Sequence, residues 1–205
     1  MATRIYPSAR DRILDAAERL VVSRGVNSLT IEAVITEAQI SKGGFFHHFA
    51  TKDALLTAII DRLSKRMADD AAERAAQDPE PRGARLRAQI ALAFDAERRD
   101  TAAPRALLLA LIEAAGGQPE IARHISALNA EAFAHDVAED VPEGRAIAIQ
   151  LALDGFWLSQ ALGTAALTER QLQALRDALL ALAQPEAEAG RGPARPRALR
   201  KGGRT

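Results

Sequence analysis

The chain has 205 residues, of which 48% are hydrophobic and 26% charged, a composition typical of a globular protein with a core of its own. Its longest uninterrupted apolar run, residues 106–112, is far shorter than the ~20 residues that a membrane-spanning helix needs. Arginines precede any apolar stretch, so we expect neither a membrane span nor a signal segment. The absence of cysteine excludes a disulfide framework and thiolate chemistry, and it favours a cytoplasmic location.

The net charge of zero hides an uneven distribution of charge along the chain. Residues 1–66 contain 10 basic and 7 acidic residues, residues 67–188 contain 11 and 20, and residues 189–205 contain 6 and none. A basic beginning, an acidic middle and a basic tail indicate a polyanionic partner at one end of the protein and not along all of it.

Apolar residues recur at helical spacing almost throughout the chain, which predicts an all-α fold of about nine helices. Ser8 is placed to cap the first helix, and Gly25 stands where that helix ends. Thr30 and Thr51 are placed to cap the second helix and a long fourth one, on either side of a short third helix at residues 41–48.

A proline-rich break at residues 77–83 separates these helices from the rest of the chain. Beyond it, apolar spacing predicts five more helices, at about 84–99, 104–115, 119–139, 143–162 and 169–184. Gly163 suits a helix end, and Thr168 with Gln171 forms a capping box for the last helix.

The two short helices at residues 31–38 and 41–48 match a helix-turn-helix, in which the second helix lies in the major groove of DNA. We call residues 41–48 the reading helix. Phe45 and Phe49, four positions apart, are expected to turn inward against the apolar side of the preceding helix. The residues left facing outward or toward the flank are Lys42, Gly43, Gly44, Phe46, His47 and His48.

The stretch "LTIEAVITEAQISKGGFFHHFATKDALL", residues 29–56, follows an amphipathic helix that ends in "SRG" and precedes a helical body. Its "SKG…HHF…KDALL" pattern resembles the tetracycline-repressor (TetR) family of bacterial regulators over about residues 8–63. The resemblance implies a homodimer whose paired reading helices bind a near-palindromic operator on double-stranded DNA. It also implies a small-molecule effector that binds the C-terminal body and releases the DNA.

We place the domain boundary between the middle of the fourth helix and the proline-rich break. Residues 1–66 are the expected helix-turn-helix DNA-binding domain, with three helices, and residues 67–184 form a helical bundle to which the resemblance assigns ligand binding and dimerisation. The basic tail at residues 185–205 has no apolar face, so we expect it to be disordered. Its arginines and lysine are candidates for salt-sensitive contacts with DNA.

Carried over by resemblance, Lys42 and Lys52 match positions that hold DNA phosphates, and His47 and His48 match positions that touch phosphates or nearby bases. Lys52 also lies in the first turn of a helix, where free N–H groups favour an anion. Glycines in the reading helix let the backbone approach the groove wall. The predicted DNA-binding residues are Thr30, Ser41, Lys42, Gly43, Gly44, Phe46, His47, His48 and Lys52.

Three residues depart from the family's pattern. Gln39 stands where glycine is usual, so the turn must either avoid a positive φ or accept strain. Phe46 replaces a usual tyrosine and has no hydroxyl for a phosphate, although its ring can touch a thymine methyl. Gly44 stands where a hydrogen-bonding residue is common. The operator sequence therefore does not follow from these residues.

Candidates for the effector pocket are apolar and aromatic residues of the body, although plain core packing explains aromatic residues more often. They are Phe94, Leu108, Ile112, Phe133, Phe156 and Trp157. Glu113 and Asp154 are charges among apolar residues and are candidates for anchoring a cationic ligand. The helices within residues 143–184 carry apolar faces that suit either a homodimer interface or packing within one chain.

One helical stripe admits a metal-binding interpretation, because Glu120 and His124, and again Glu131 and His135, are four residues apart. Solvent-facing pairs of acid and imidazole explain the stripe more simply, and di-metal bundles use a spacing of three. We therefore predict no metal and no cofactor. The sequence favours a ligand-responsive transcriptional repressor over a DNA-binding regulator without a ligand or an activator, and over a helical-bundle enzyme.

Overall fold

The computed structural model of the protein describes residues 8–95, 112–137 and 141–185, together with Leu107. Regular structure in these ranges is helical, which confirms the predicted all-α class. A 3-10 turn at Val26–Ser28 follows the first helix, and residues 112–117 are also helical. The α-helices are α1 (Ala9–Arg24), α2 (Ile31–Ala38), α3 (Lys42–His48), α4 (Lys52–Ala75), α5 (Ala84–Ala93), α6 (Pro119–Val137), α7 (Glu143–Leu162) and α8 (Glu169–Leu182).

The first four helices begin at capping residues that satisfy otherwise free backbone N–H groups. The hydroxyls of Ser8, Thr30, Ser41 and Thr51 each accept a hydrogen bond, at 3.0 to 3.1 Å, from the N–H three residues further on. Each such cap stabilises its helix by about 1 kcal/mol. The predicted caps at Ser8, Thr30 and Thr51 are confirmed, and Ser41 precedes the reading helix as its cap.

A first hydrophobic cluster, the head cluster, joins α1 to α4. It contains the rings of Phe45 and Phe49, which are 0% and 4% exposed, together with buried side chains of α1 and α4 such as Ile13 and Ile59. Burying a side chain of this size contributes about 1.5–3 kcal/mol. The prediction that Phe45 and Phe49 turn inward is confirmed, and their burial fixes which side of α3 faces out.

A second cluster, the body cluster, joins α5, α7 and α8 through buried residues that include Leu86, Ile149, Phe156 and Leu179. Helix α6 contacts both clusters. Residues in its first half pack with Leu107 and Ala114 against the head cluster, whereas Phe133 in its second half packs against the body cluster. With 19 residues, α6 is about 28 Å long and connects the two cores as one rigid element.

The proline-rich loop between α4 and α5 is held by Arg87. Its Nε donates to Asp78 Oδ2 at 2.8 Å, and its guanidinium also donates to the carbonyl oxygens of Glu80 and Ala183. The hydrogen bond from Arg87 lowers the pKa of the Asp78 carboxyl below its usual range. Gly83, with φ +73°, lies so close to the end of α8 that a Cβ there would stand 2.4 Å from the Ala183 oxygen.

The body helices agree with the sequence prediction except at some ends. Helix α7 has the predicted bounds and ends at Gly163, with φ +69°, and the capping box of Thr168 with Gln171 is present. Helix α8 stops two residues before the predicted end at 184. The predicted helix end at 99 is wrong, because α5 closes its last turn at Ala93 with a bond from the Phe94 N–H.

Some predictions fall partly or wholly outside the described residues. Of the predicted helix at 104–115, the described stretch at residues 112–117 is helical and passes the predicted end by two residues. The helix predicted at 119–139 begins at Pro119 as predicted, whereas its last two residues and nearly all of the predicted tail lie outside the described ranges. No helix within those ranges is both long and apolar enough to cross a membrane.

Candidate nucleic-acid interface

The turn between α2 and α3 is built on a strained residue. Gln39 has φ +53° and ψ +51°, in the left-handed region, and its N–H donates to the Thr36 carbonyl at 3.3 Å. The next N–H, of Ile40, donates to the Ile35 carbonyl at 3.2 Å. The sequence left two conformations open at Gln39, and the structure adopts the strained one, which costs roughly 1–2 kcal/mol in a residue other than glycine.

Helix α3 separates its aromatic residues between two sides. Phe45 lies in the head cluster, whereas Phe46 is 43% exposed and contacts Phe45 edge to face, with ring centroids 5.5 Å apart. His47 is exposed, His48 is half-buried, and their rings are 5.0 Å apart. The outward side of α3 therefore presents an aromatic ring beside two imidazoles.

The remaining predicted DNA-binding residues lie around this side of α3. Lys42 is exposed and Lys52 half-buried, and neither makes an ion pair with a carboxylate of the described residues. A Cβ at Gly43 would meet nothing within 4 Å, and one at Gly44 would stand 3.2 Å from Ser41 Oγ. The backbone at the start of α3 is thus uncovered, and the lysines at the starts of α3 and α4 have no carboxylate partner in the described part of the chain.

Thr30 and Ser41 have a local structural task, because their hydroxyl oxygens accept the capping bonds of α2 and α3. Each hydroxyl can still donate its proton to a phosphate oxygen, and both residues are exposed. Backbone N–H groups and hydroxyls at helix starts are common donors to DNA phosphates.

One basic residue beside α3 was missed by the sequence analysis. The guanidinium carbon of Arg10, in the first turn of α1, lies 5.5 Å from the centroid of the Phe49 ring. This contact joins residues that are far apart in the sequence, and no local pattern indicates it.

The glutamate and histidine stripe on α6 does not form the expected pairs within the helix. His124 Nε2 lies 2.6 Å from Asp61 Oδ1 of α4, and Glu120 lies 3.5 Å from Arg123. The interpretation as solvent-facing pairs four residues apart is corrected for Glu120 and His124, because α4 supplies the partner of the imidazole. No group of three potential metal ligands occurs among the described residues.

The residues predicted to line an effector pocket are largely packed against one another. Phe94 and Phe156 stack with ring centroids 4.8 Å apart and an interplanar angle of 9°, and Trp157 lies 6.3 Å from Phe156. Phe133 joins the same body cluster, whereas Ile112 is 43% exposed. Leu108 lies outside the described residues. The structure therefore brings together Phe94, Phe133, Phe156 and Trp157, and it does not bring Ile112 to them.

A buried carboxylate near these rings was also missed. Asp136 of α6 is 1% exposed and accepts hydrogen bonds from Arg85 Nε and Gln89 Nε2, each at 3.1 Å. Burial raises the pKa of the Asp136 carboxyl, and the bonds from Gln89 and Arg85 oppose that rise. Arg85 and Asp136 are 51 residues apart in the sequence, so no local sequence pattern indicated this ion pair.

Helix α7 exposes a stripe of large apolar side chains. Leu151 is 65% exposed, and Ile147, Leu158 and Leu162 are also exposed, all on one side of the helix. Phe156 of the same helix is instead buried in the body cluster. The apolar residues of α7 therefore divide between an internal face and an uncovered one.

A short α2, a tight turn and an α3 with an uncovered polar and aromatic side make up the helix-turn-helix of DNA-binding proteins. Sequence comparison agrees with this class. The family model for bacterial regulatory proteins of the tetR family matches residues 13–59, and the model for a tetracyclin repressor-like C-terminal domain matches residues 83–184. The chain belongs to the TetR family of transcriptional regulators.

Among curated relatives, the HTH-type transcriptional regulator BetI of Burkholderia mallei (strain NCTC 10229) is 30% identical over 162 residues, which cover 75% of this chain and 82% of BetI. The HTH-type transcriptional regulator UidR of Escherichia coli (strain K12) is 40% identical over 60 residues, but that match spans only 29% of this chain and 30% of UidR.

Solved structures share the fold over most of the chain. A TetR-family member from Streptomyces coelicolor A3, SCO1917, superimposes with a TM-score of 0.64 and 28% identity, covering 86% of this chain and 98% of that one. The multidrug binding protein EbrR complexed with malachite green superimposes with a TM-score of 0.65 and 24% identity, covering 86% and 98%.

Proposed function

We propose that this regulator is a ligand-responsive repressor that binds a near-palindromic DNA operator as a homodimer. A small hydrophobic or amphipathic effector, bound in the body, releases the operator. We place the protein in the cytoplasm, and we assign no enzymatic activity to it, in keeping with a family of transcriptional regulators.

The observation that carries the DNA-binding proposal is the uncovered side of α3. Phe46 and His47 are exposed there, and Lys42 and Lys52 have no carboxylate partner among the described residues. Lysines in this position neutralise phosphates, while a ring in the major groove reads the methyl groups of thymine. Gly43 leaves the backbone bare where it would meet the groove wall.

The homodimer is supported by the exposed stripe of α7. Contiguous apolar surface of this kind marks interaction sites in proteins that are otherwise water-soluble. A two-fold interface places the same surface of each subunit against its copy, so the apolar side chains of the stripe can pack against their own copies, with Asp154 exposed beside them on the same side of the helix. We therefore assign the interface to residues 143–184, and the two reading helices then meet successive major grooves about 34–36 Å apart.

The effector site is proposed around Phe94, Phe133, Phe156 and Trp157. The aromatic rings offer stacking surface, and the nearby Asp136 adds a buried carboxylate that already accepts hydrogen bonds from Arg85 and Gln89. EbrR, which shares the fold, is a multidrug binding protein with a complex of malachite green. Effector binding requires the stacked rings to separate, because they fill the space between α5 and α7.

The tight stacking of Phe94 on Phe156 favours one alternative, a regulator of the same class that acts without a ligand. Selection of duplexes from a random pool gives the operator, and screening compounds against that complex tests for release. Trp157 is the single tryptophan of the sequence, so quenching of its fluorescence reports binding in the body. A palindromic operator that no compound releases would favour the alternative.

Substitutions test which residues bind phosphate and which read bases. Lys52→Ala should weaken binding to operator and random duplex by the same factor, because a phosphate contact carries no sequence information. Phe46→Ala and His47→Ala should also change the preferred sequence. Lys65→Ala is the matched control, since Lys65 lies more than three turns further along α4 and pairs with Asp69. Equal losses on both duplexes for all three site variants would contradict this division.

A further inference from the structure

Arg10 occupies a position that the stability of its own helix does not explain. It is the second residue of α1, and a cation in the first turn opposes the helix dipole, which favours acidic residues there. Asp11 already fulfils that acidic preference. The arginine is exposed, and its contact is with an aromatic ring on another element.

That ring places Arg10 beside the DNA-facing side of the head. Phe49 is the C-terminal cap of α3, and it precedes Lys52 by three positions, a span of at most ~11 Å of chain. The guanidinium therefore lies next to the junction where the reading helix gives way to the first turn of α4. The side chains that flank this junction are those of His48, Thr51 and Lys52.

Arg10 makes no ion pair with a carboxylate of the described residues, in contrast to three other arginines of the head. Arg19 pairs with Glu37, and Arg62 and Arg66 both pair with Glu18. No carboxylate of the described residues lies within 4 Å of Arg10, and the neighbouring Asp11 carboxylate instead accepts a 2.6 Å hydrogen bond from Ser8.

The contact with Phe49 restricts Arg10 before any ligand arrives. A guanidinium held over a ring has already lost part of its side-chain freedom, and its planar N–H donors suit the oxygens of a phosphate. When Arg10 binds a phosphate, its side chain therefore loses less conformational entropy than the side chain of a free lysine would lose.

We propose that Arg10 is a DNA-backbone contact, positioned by the Phe49 ring next to the phosphate site at Lys52. This inference rests on the proposed binding of duplex DNA by the reading helix. It adds the start of α1 to the DNA-binding surface and predicts one further phosphate contact in each protomer.

The test compares Arg10→Ala with Arg12→Ala in the full-length protein. Both changes remove one exposed cation from the same end of α1, but two positions on a helix differ by about 200° in direction. Affinity for the selected operator and for a random duplex is measured between about 50 and 200 mM salt, and thermal unfolding checks that each variant is folded.

Arg10→Ala should lower the salt dependence, the slope of log K against log salt, by about 1.8 per homodimer, since each lost phosphate contact contributes ~0.9. The loss should be equal on both duplexes, and Arg12→Ala should change the slope by less than half as much. Arg10→Lys should keep most of the slope and yet bind more weakly, because an ammonium cannot form the bidentate fork.

Equal slopes for Arg10→Ala and Arg12→Ala would overturn the assignment of Arg10 while leaving the proposed function intact, because both cations would then act only through long-range attraction. If the wild-type protein bound no duplex even at low salt, both the proposed function and the assignment of Arg10 would fail.

Discussion

The bare backbone at Gly43 yields a prediction in which folding and DNA binding change in opposite directions. In Gly43→Ala, the new methyl group meets nothing within 4 Å in the free protein. Alanine also loses less conformational entropy than glycine when a helix forms, so the free energy of unfolding should stay level or rise by up to about 1 kcal/mol. If the backbone at this turn meets the groove wall, the same methyl group occupies space that the DNA fills.

Overpacking of a close contact costs typically 1–3 kcal/mol, which corresponds to roughly 5- to 150-fold weaker operator binding for one reading helix. The assay pairs thermal or denaturant unfolding with operator titration at fixed salt. Gly116→Ala is the control, because Gly116 is exposed in the helical stretch at residues 112–117, has open space at its Cβ position and lies outside the residues assigned to the dimer interface. The control should show the same gain in stability and unchanged DNA affinity. Operator binding by Gly43→Ala as tight as that of the wild type would show that the backbone does not approach the groove at this turn.

Further outcomes follow from the backbone and from one ion pair. Gln39→Gly should raise the free energy of unfolding by about 0.5–1 kcal/mol, measured by denaturant titration, because glycine adopts a positive φ without the cost that glutamine bears. Gly83→Ala should lower the free energy of unfolding by about 2–5 kcal/mol, because the strain of a positive φ adds to the overlap of the new Cβ with the Ala183 oxygen. An unchanged melting temperature would contradict the close approach of Gly83 to Ala183. The pKa of Asp78 is lowered by Arg87, so its contribution to stability is present above the usual aspartate pKa of about 3.9 and is lost as pH falls through the lower folded-state value. Asp78→Asn should therefore flatten the acid side of the plot of melting temperature against pH, and an identical acid limb in variant and wild type would rule this coupling out.

Local rules were enough to predict the helix-turn-helix. Caps such as Thr30 and Thr51 act on an N–H only three residues away, and the inward turn of Phe45 and Phe49 follows from helical spacing alone. The stretch from α1 to α4 could therefore be placed from sequence, as could the exposure of Phe46. At Gln39 the sequence indicated that the turn could require a positive φ, but it did not show whether the residue adopts one, because two conformations satisfy the same local rules.

Contacts between distant elements were not predictable in this way. Asp136 meets Arg85 across 51 residues and His124 meets Asp61 across 63, and each pairing depends on how helices pack rather than on any spacing within one helix. The stripe on α6 predicted partners inside the helix, and the imidazole of His124 lies instead against α4. Among the aromatic pocket candidates of the body, Phe156 is buried and Phe94 and Phe133 pack partly buried against the same cluster, but spacing could not distinguish a filled core from a pocket.

Helix α6, which contacts both hydrophobic clusters, limits how the protein can be dissected. Ile121 of α6 and Ala114 of the helical stretch before it cover apolar surface of the first four helices. A fragment that ends at residue 66 would therefore expose that surface to water. A chimaera that joins the first four helices to the body of another regulator should fold well only when that body supplies side chains of matching size at those two positions. The DNA-binding helices of this protein can therefore be transferred to another regulator only together with the side chains that cover their apolar surface.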